Sequence, residues 1–286
     1  MHQRTTRPLR VDLVVRDASG RPVGCARVSP HIWSDPADRL AGCDIAVLPE
    51  VRGRGVGTSL FAEVSRRAAS SLGAAKLETS VDLGDPAGPR FAERHGFVAV
   101  AKEQRVELDP GAADVGTPDP PEGVSLVSLP ERPDLLRSIW EIDRECTPDI
   151  PGETGEQVPE FEVWVSDFAS PLAWREGTFI ALDAAGGAIG FGQLWRSADP
   201  QRGSNGMLAV TRAWRGRGVG GAIKRAQIAV ARAHGMTSLT TSNELRNEPI
   251  RRLNERLGYR RLPDTWIVRG PLAAPGAQDT PGQGLT

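Results

Sequence analysis

Residues 210–220 read Val-Thr-Arg-Ala-Trp-Arg-Gly-Arg-Gly-Val-Gly, and the other inferences from this sequence depend on them. A strand-like run ends at Val210. Apolar residues then recur at the spacing of one helix face, at Val219, Ile223, Ala226 and Val230. Glycines that open a helix leave backbone N–H groups unpaired at its positive end, where phosphate binds, and a Cβ there would hold the phosphate away. The stretch therefore predicts a phosphate-binding loop between a strand and a helix.

The same motif occurs earlier in the chain. Residues 47–57 read Val-Leu-Pro-Glu-Val-Arg-Gly-Arg-Gly-Val-Gly, and an apolar helix face again follows. Arg52 and Arg215 are 163 residues apart, and the two Gly-aromatic pairs beginning at Gly96 and Gly258 are 162 residues apart. A segment containing the loop, a helix, a strand and a second helix is therefore duplicated, with one residue of slippage.

A dinucleotide-binding fingerprint is the alternative interpretation of these glycines, because Gly216-x-Gly218-x-x-Gly221 matches its spacing. That fingerprint requires its first glycine directly after the strand, whereas residues 211–215 intervene here. The first copy also has Thr58 in place of the third glycine. The dinucleotide interpretation is therefore disfavoured.

The pattern Arg-x-x-Gly-x-Gly between a strand and a helix resembles the acyl-CoA pyrophosphate loop of the GCN5-related N-acetyltransferase (GNAT) family. The resemblance covers nearly all of the chain, and its tandem arrangement is similar to that of mycothiol synthase. It implies an α/β fold (an α+β mixed sheet) made of two tandem GNAT-like domains, with helices on both faces of the sheet. It also implies that acyl-CoA lies between two strands that splay apart.

We expect residues 1–109 to form a truncated GNAT-like domain and residues 123–272 a complete one. Between them, residues 110–122 are rich in Pro and Gly and read as a linker, and residues 273–286 read as a disordered tail. The first domain is expected to lack the opening strand and helices that precede the motif in the second. Two explanations are open: the domain has degenerated, or its start lies upstream of Met1.

The resemblance assigns the CoA contacts residue by residue. In both copies they comprise the end of the fourth strand and the glycine loop, and the second copy adds the asparagine that contacts the pantetheine arm. The residues are Leu208, Val210, Arg215, Gly216, Arg217, Gly218, Val219, Gly220 and Asn247 in the second copy, and Val47, Arg52, Gly53, Arg54, Gly55, Val56 and Gly57 in the first.

The resemblance leaves the catalytic groups incomplete. Asn254 stands where many family members have the tyrosine that protonates the CoA thiolate; an amide can only donate a hydrogen bond there. The first copy has Ala92 at that position. The family's glutamate base on the fourth strand corresponds to Met207 and, in the first copy, Asp44. Catalysis is therefore expected to rest on positioning and on backbone N–H groups of a bulged strand near residues 208–210.

The region expected over the acceptor is acidic. Nine acids and one base, Arg144, lie between residues 141 and 170, and Phe161, Trp164 and Phe168 alternate with them. This composition fits a wall that favours a cationic amine, and equally an amphipathic helix with an acidic outer face. Three of these acids, Asp149, Glu153 and Glu160, are candidates for a general base on the acceptor side. The alternative is that each is a solvated surface charge.

Composition excludes several other classes of function. The net charge of −1 indicates no general attraction to nucleic acid or membrane. The sequence has no signal peptide and no run of eighteen apolar residues, and its three cysteines show no Cys-x-x-Cys spacing, so a cytoplasmic location and no bound metal are expected. Oligomeric state is not predicted.

These observations favour an N-acyltransferase that moves an acetyl group from acetyl-CoA to a small-molecule amine by direct attack in a ternary complex. The second domain is expected to be catalytic. The alternative is a non-catalytic regulator that binds acyl-CoA.

Overall fold

The computed structural model describes residues 10–117, 119–151 and 157–274. Its longer strands, numbered in chain order, are β1 (Val11–Arg16), β2 (Pro22–Pro30), β3 (Leu40–Val47), β4 (Lys76–Asp82), β5 (Val98–Leu108), β6 (Ser125–Ser128), β7 (Ala173–Leu182), β8 (Ala188–Arg196), β9 (Arg202–Val210), β10 (Ser238–Glu244), β11 (Arg260–Arg261) and β12 (Thr265–Pro271). The α-helices are α1 (Val56–Leu72), α2 (Ala87–Arg94), α3 (Leu136–Cys146), α4 (Phe161–Trp164), α5 (Val219–Ala233) and α6 (Glu248–Arg256).

The chain divides into two compact units. The first runs from Met1 to Lys102 and takes in the segment from Thr265 onward; the second runs from Glu103 to Asp264. The predicted domains were 1–109 and 123–272. Residues 103–109 were therefore assigned to the first domain but belong to the second unit, and residues 265–272 were assigned to the second domain but belong to the first unit. The reason for the difference is the pairing of β5 and β12.

In the first unit, β1, β2 and β3 are antiparallel neighbours, and β3 pairs with β4 in parallel. β12 lies antiparallel to β4 along its whole length, from Thr265 opposite Asp82 to Pro271 opposite Lys76. α1 packs its apolar face on β2 and β3, and Val268 of β12 is buried in the same core. β12, which the predicted bounds place in the second domain, therefore completes the sheet of the first unit.

In the second unit, β6, β7, β8 and β9 form an antiparallel series, and β9 pairs with β10 in parallel. The far side of β10 is covered by residues 103–108 of β5, from Glu103 opposite Glu244 to Leu108 opposite Leu239. α5 packs on β7 and β8. Each unit thus has a mixed sheet, as predicted, and each contains a strand from the other half of the sequence.

The segment predicted as a linker packs along α5 where it is described. The Arg225 Nε donates to the Val115 carbonyl at 3.0 Å, and the Arg232 Nε donates to the Pro110 carbonyl at 2.7 Å. Ala113 and Val115 also pack on the core of the second unit. The predicted tail lies outside the described residues from position 275, while the Ala273 N–H donates to the Ser65 hydroxyl at 2.9 Å.

The elements before the loop differ between the units. In the second unit α3 and α4 precede the antiparallel strands that lead to the loop. In the described part of the first unit, the helical elements before α1 are only the 3₁₀ turns Pro36–Asp38, between β2 and β3, and Pro49–Val51, after β3. Over residues 10–102 the first unit therefore shows the reduced set of elements that the sequence predicts.

Candidate functional site

The glycine loop of the second unit places two glycines in the left-handed region. Gly216 has φ 73° and Gly218, the N-cap of α5, has φ 90°. The first hydrogen bond of the helix runs from the Ala222 N–H to the Gly218 carbonyl at 3.0 Å, so the preceding N–H groups are directed out of the helix end. A Cβ on Gly216 would meet nothing within 4 Å, which leaves the loop open to a ligand.

The first unit repeats this geometry. Gly53 and Gly55 have φ 75° and 84°, and the Ser59 N–H donates to the Gly55 carbonyl at 3.0 Å. The arginine of each motif also makes the same bond. The Arg215 Nε donates to the carbonyl of Val210 at 2.9 Å, and the Arg52 Nε donates to the carbonyl of Val47 at 3.1 Å. Each arginine therefore fastens its loop to the end of the preceding strand.

Each loop lines a cleft of its own, of about 830 Å³ in the second unit and about 780 Å³ in the first. Most residues with a predicted CoA contact line these clefts: Leu208, Val210, Arg215, Gly216, Gly218, Val219, Gly220 and Asn247 in the second, and Val47, Arg52, Gly53, Gly55 and Gly57 in the first. Three predicted residues do not. Arg217 lies over the Trp214 ring, with 4.9 Å from Cζ to the centroid, Val56 packs on the apolar core, and Arg54 is exposed.

Both clefts open where two parallel strands separate. β9 and β10 pair over three positions, ending at Ser204 opposite Thr240, and β3 and β4 pair over three positions, ending at Gly42 opposite Glu78. Beyond these pairs, β3 and β4 both line the first cleft, whereas in the second unit β9 lines its cleft from Met207 to Val210 and β10 contributes none of the described lining residues. The separation of the paired strands is the splayed arrangement expected for acyl-CoA.

The strand that leads into the glycine loop, expected to be the fourth of its domain, is β9 in the second unit and β3 in the first. Only β9 is bulged. Gly192 faces Leu208 while Leu194 faces Asn205, so β9 contains one more residue than β8 over this interval. A Cβ on Gly206 would collide with the Trp195 indole, which explains the glycine at the bulge. The corresponding register of β2 and β3 is unbroken from Gly24 to Pro30. Because a bulge leaves a residue out of the ladder, β9 has an interruption in its backbone pairing that β3 lacks.

Asp149 is engaged with the loop rather than free to act as a base. Its carboxylate accepts from Arg212 at 2.8 Å and from Arg215 at 2.7 Å. These hydrogen bonds, first from Arg212 and then from Arg215, lower the pKa of Asp149 to about 2. A carboxylate with so low a pKa is a poor proton acceptor near neutral pH, so we remove Asp149 from the candidate bases. Glu153 lies outside the described residues, and Glu160 is exposed at the start of α4.

Asn254 has a different task from the predicted one. Its side chain is 2% exposed and does not line the cleft, although its neighbour Leu253 does. The Asn254 Oδ1 accepts from Lys224 at 2.6 Å, and its Nδ2 donates to the Asn243 Oδ1 at 2.8 Å. With its amide buried and hydrogen-bonded on both sides, Asn254 is placed as part of the scaffold beside the cleft rather than against a thiolate.

Asp44 and Met207, at the base position of each copy, also differ in placement. Met207 lines the second cleft, and its N–H donates to the Gln193 Oε1 at 3.4 Å. Asp44 is exposed on β3 and does not line the first cleft, although Cys43 and Ile45 do. The described residues therefore supply no carboxylate at the base position of either cleft.

The aromatic residues of the acidic segment form core rather than an open wall. Trp164 and Phe168 are 2% and 6% exposed, and the Trp164 Nε1 donates to the buried carboxylate of Asp143 at 2.7 Å. Burial raises the pKa of Asp143 to about 6. The guanidinium of Arg137 already covers the Phe161 ring, 4.3 Å from its centroid. These rings are therefore unavailable to a cationic acceptor, and the charge of the acceptor stays a prediction.

Two residues of the site were not identified from the sequence. Cys146 lines the second cleft, where its Sγ lies 3.4 Å from the Val210 carbonyl and accepts from Arg215. Lys224 is 1% exposed on the inner face of α5. A signal for Lys224 was present in the repeat, because the first copy has Phe61 at the equivalent place on a helix face that is otherwise apolar.

Two family models match the chain. Residues 11–99 match an acetyltransferase (GNAT) domain, and residues 136–259 match the acetyltransferase (GNAT) family. The chain is a tandem GNAT protein.

Solved structures share this tandem GNAT fold. A tandem GNAT protein from the clavulanic acid biosynthesis pathway is 22% identical with a TM-score of 0.71, covering 94% of this chain and 85% of that one. A GCN5-related N-acetyltransferase from Sphaerobacter thermophilus is 21% identical with a TM-score of 0.69, covering 92% and 81%. One from Kribbella flavida is 16% identical with a TM-score of 0.59, covering 93% and 90%. No curated protein matches the sequence.

Within residues 10–117, 119–151 and 157–274, no three His, Cys, Asp or Glu side chains are grouped so that they could hold a metal ion. Over the same ranges, no helix combines the length and apolar character needed to cross a bilayer.

Proposed function

We propose that the protein transfers an acetyl group from acetyl-CoA to a small-molecule amine, and that the second cleft carries out the reaction. The supporting observation is the bulge of β9 between Asn205 and Leu208, which interrupts the pairing of β9 with β8 just before the glycine loop, next to the lining residues Met207 and Leu208. The first cleft has the loop without the bulge. The difference favours the second cleft as the catalytic one.

The reaction that fits this cleft is direct attack in a ternary complex. The amine nitrogen attacks the thioester carbonyl carbon, the C–S bond breaks, and the CoA thiolate leaves. Backbone N–H groups on β9 stabilise the negative charge that develops on the carbonyl oxygen, and the loop and α5 hold the pyrophosphate. With Asp149 locked to two arginines, the proton of the amine passes to solvent, and solvent also supplies the proton that the thiolate takes up.

The first cleft is proposed to bind the phosphates of CoA without transferring the acetyl group. Its loop has the same φ angles and the same arginine anchor as the second. Its fourth strand has an unbroken register, and the described part of the first unit has no α-helix before α1. It thus has a nucleotide cradle but neither the bulged strand nor helices that could face an acceptor.

A second candidate function is a regulator that binds acyl-CoA without catalysis. Met207 at the base position and the burial of Asn254 favour it. Release of free thiol from acetyl-CoA in the presence of a panel of amines separates the two functions. Turnover with any amine supports the enzyme, and tight acetyl-CoA binding with no turnover across neutral, cationic and aromatic amines supports the regulator.

The first test removes the phosphate cradle of the second cleft. In a chain already carrying Gly55→Asp to disable the first cleft, Gly218→Asp should weaken acetyl-CoA binding about 100-fold in calorimetry. The new carboxylate would lie beside the pyrophosphate, and like charges about 4 Å apart near a protein surface repel by several kcal/mol.

Gly186→Asp is the matched control for this test. Gly186 has φ 82° with open space around its Cβ position, at the turn between β7 and β8 and outside the lining of the second cleft. It imposes the same backbone strain without the charge at the loop, and affinity should stay at the reference value. Equal acetyl-CoA affinity in folded Gly218→Asp and Gly186→Asp chains would refute the loop assignment.

A further inference from the structure

A continuous chain of polar side chains lies beside the second cleft; four of its members are buried and two, Asn205 and Asn243, are partly buried. The Gln227 Nε2 donates to the Gly177 carbonyl at 3.4 Å, and its Oε1 accepts from the Asn205 Nδ2 at 2.9 Å. The Asn205 Oδ1 accepts from the Tyr259 hydroxyl at 2.7 Å. The Lys224 Nζ lies 4.3 Å from the centroid of the Tyr259 ring. From there the bonds of Lys224 to Asn254 and of Asn254 to Asn243 complete the chain.

This polar chain connects the two strands at the point where they diverge. Asn205 is the first residue of β9 after the three positions that pair with β10, and it lies at the edge of the bulge between β9 and β8. Asn243 lies on β10 three residues after Thr240, which is the last residue of β10 that pairs with β9. Side chains therefore join β9 to β10 where their backbones no longer do. Leu253 and Arg225, which adjoin Asn254 and Lys224 in sequence, line the cleft.

The first unit has an apolar residue at every equivalent position. The N-caps Gly55 and Gly218, the first parallel pairs of the two sheets, and the glycines at 96 and 258 fix the correspondence. The six polar residues, with the first-unit equivalent second in each pair, are Asn205 and Cys43, Lys224 and Phe61, Gln227 and Val64, Asn243 and Val81, Asn254 and Ala92, and Tyr259 and Phe97. All six first-unit residues are buried in a single hydrophobic core.

The first unit shows that this fold does not require the polar set. Burying a lysine without an anionic partner costs free energy, since the charge loses its hydration. Among the described residues, no ion pair involves Lys224, and burial lowers its pKa from 10.5 to about 7. Six polar residues at places where apolar ones suffice point to a function other than stability, because departures from a well-packed apolar core are concentrated at functional sites.

We infer that the chain from Gln227 to Asn243 through Lys224 is a positioning device that fixes the separation of β9 and β10 for the acetyl thioester. This inference rests on the proposed function and extends it, since it names the residues that make one cleft productive and the other not. Lys224 and its partners act through β9 and β10; they are positioning residues and do not touch the reacting atoms. Lys224 donates from the middle of the device, so its removal should release both strands.

The kinetic test compares two neutral replacements of similar length. Lys224→Met removes the donor and should lower kcat at least about tenfold, with a smaller change in KM for acetyl-CoA. Lys224→Gln keeps an N–H donor for Asn254 without the charge and should recover much of the loss. Ser238→Ala is the control; it removes a buried hydroxyl that donates to Glu107 at 2.6 Å from the paired end of β10, and kcat should not change. Wild-type kcat in folded Lys224→Met would overturn the inference.

A binding test separates this inference from the proposed function. In the Gly55→Asp chain, Lys224→Met should bind acetyl-CoA several-fold more weakly and adenosine 3′,5′-bisphosphate with unchanged affinity. Only the thioester arm of acetyl-CoA reaches the place where β9 and β10 separate. If the wild type turns over no amine, the proposed function has failed, and this pair of affinities still decides the inference. Equal affinity for acetyl-CoA with and without the lysine would overturn it, as would equal losses for both ligands.

Unfolding provides a readout independent of activity. The folded-state pKa of Lys224 lies below its value of 10.5 in the unfolded chain, so the unfolded state binds the extra proton between about pH 7 and 10.5. The contribution of Lys224 to stability should therefore rise with pH across that window, so the stability of the wild type relative to Lys224→Met should increase from pH 7 upward. Tyr259, the other titratable group in contact, has a pKa raised by burial and stays neutral there. A Lys224→Met protein that is less stable than wild type at pH 7 would indicate a structural role and contradict the inference.

Discussion

Arg215→Glu combined with Gly218→Asp is expected to abolish acetyl transfer, lowering kcat/KM by at least about 1000-fold, or about 4 kcal/mol of transition-state stabilisation. The pair removes the anchor of the loop to the Val210 carbonyl and places two negative charges beside the pyrophosphate. Arg52→Glu with Gly55→Asp makes the same changes in the first unit and should leave most of the activity. Steady-state thiol release measures both variants.

The two double variants are controls for each other, because they alter equivalent loops of equivalent geometry. Circular dichroism and thermal unfolding should first show that each protein is folded. If the Arg52 and Gly55 variant lost turnover and the other variant retained it, the first cleft would be the catalytic one and the proposal would be wrong. Loss in both would mean that acyl-CoA must occupy the two clefts together.

Deleting the chain after Asp264 is expected to unfold the first unit, although the sequence assigns the deleted strand to the second domain. β12 covers β4, Val268 is 2% exposed in the first core, and the Arg269 Nε donates to Glu78 at 2.5 Å. Burial of one such valine alone contributes about 1.5–3 kcal/mol. Hydrogen exchange should show that the amides of β4 lose their protection, while those of β8 and β9 keep it.

A chain that ends at Ala274 is the control for this deletion. It retains β12 and the bond from the Ala273 N–H to Ser65, and it removes only the segment from residue 275 onward. Its exchange pattern should match that of the full chain. Protected β4 amides in the protein that ends at Asp264 would show that the first unit does not depend on β12.

The sequence was sufficient to predict local features. The glycine loops and the two helices that follow them were predicted, since each depends on neighbouring residues. The bulge of β9 was implied by the family resemblance near residues 208–210, and it lies between Asn205 and Leu208. The slippage between the copies lies after the loop, where the offset falls from 163 at Val219 and Val56 to 162 at Gly235 and Gly73. The bulge adds a further residue to β9 before the loop. Arg202 and Leu40 start equivalent strands with an offset of 162, and Val210 and Val47 end them with an offset of 163.

Features that depend on distant residues were not predicted. An alternating apolar pattern identifies β5 and β12 as strands but contains no information about the edge on which each one pairs. The task of Asn254 could not be predicted because it depends on Lys224, which is 30 positions earlier in the chain. A sequence motif identifies the side-chain groups that could bind a ligand. It does not show whether a buried side chain elsewhere in the sequence already forms hydrogen bonds with those groups.

The position of β12 also affects the order in which the units can fold during synthesis. The second unit has all its strands once residue 264 has been made, whereas the first, although it begins earlier, needs a strand that is translated after the whole of the second unit. Nascent chains usually fold from the N-terminus, domain by domain. Here the sheet of the first unit has an open edge at β4 until β12 has been made, so the later unit matures first.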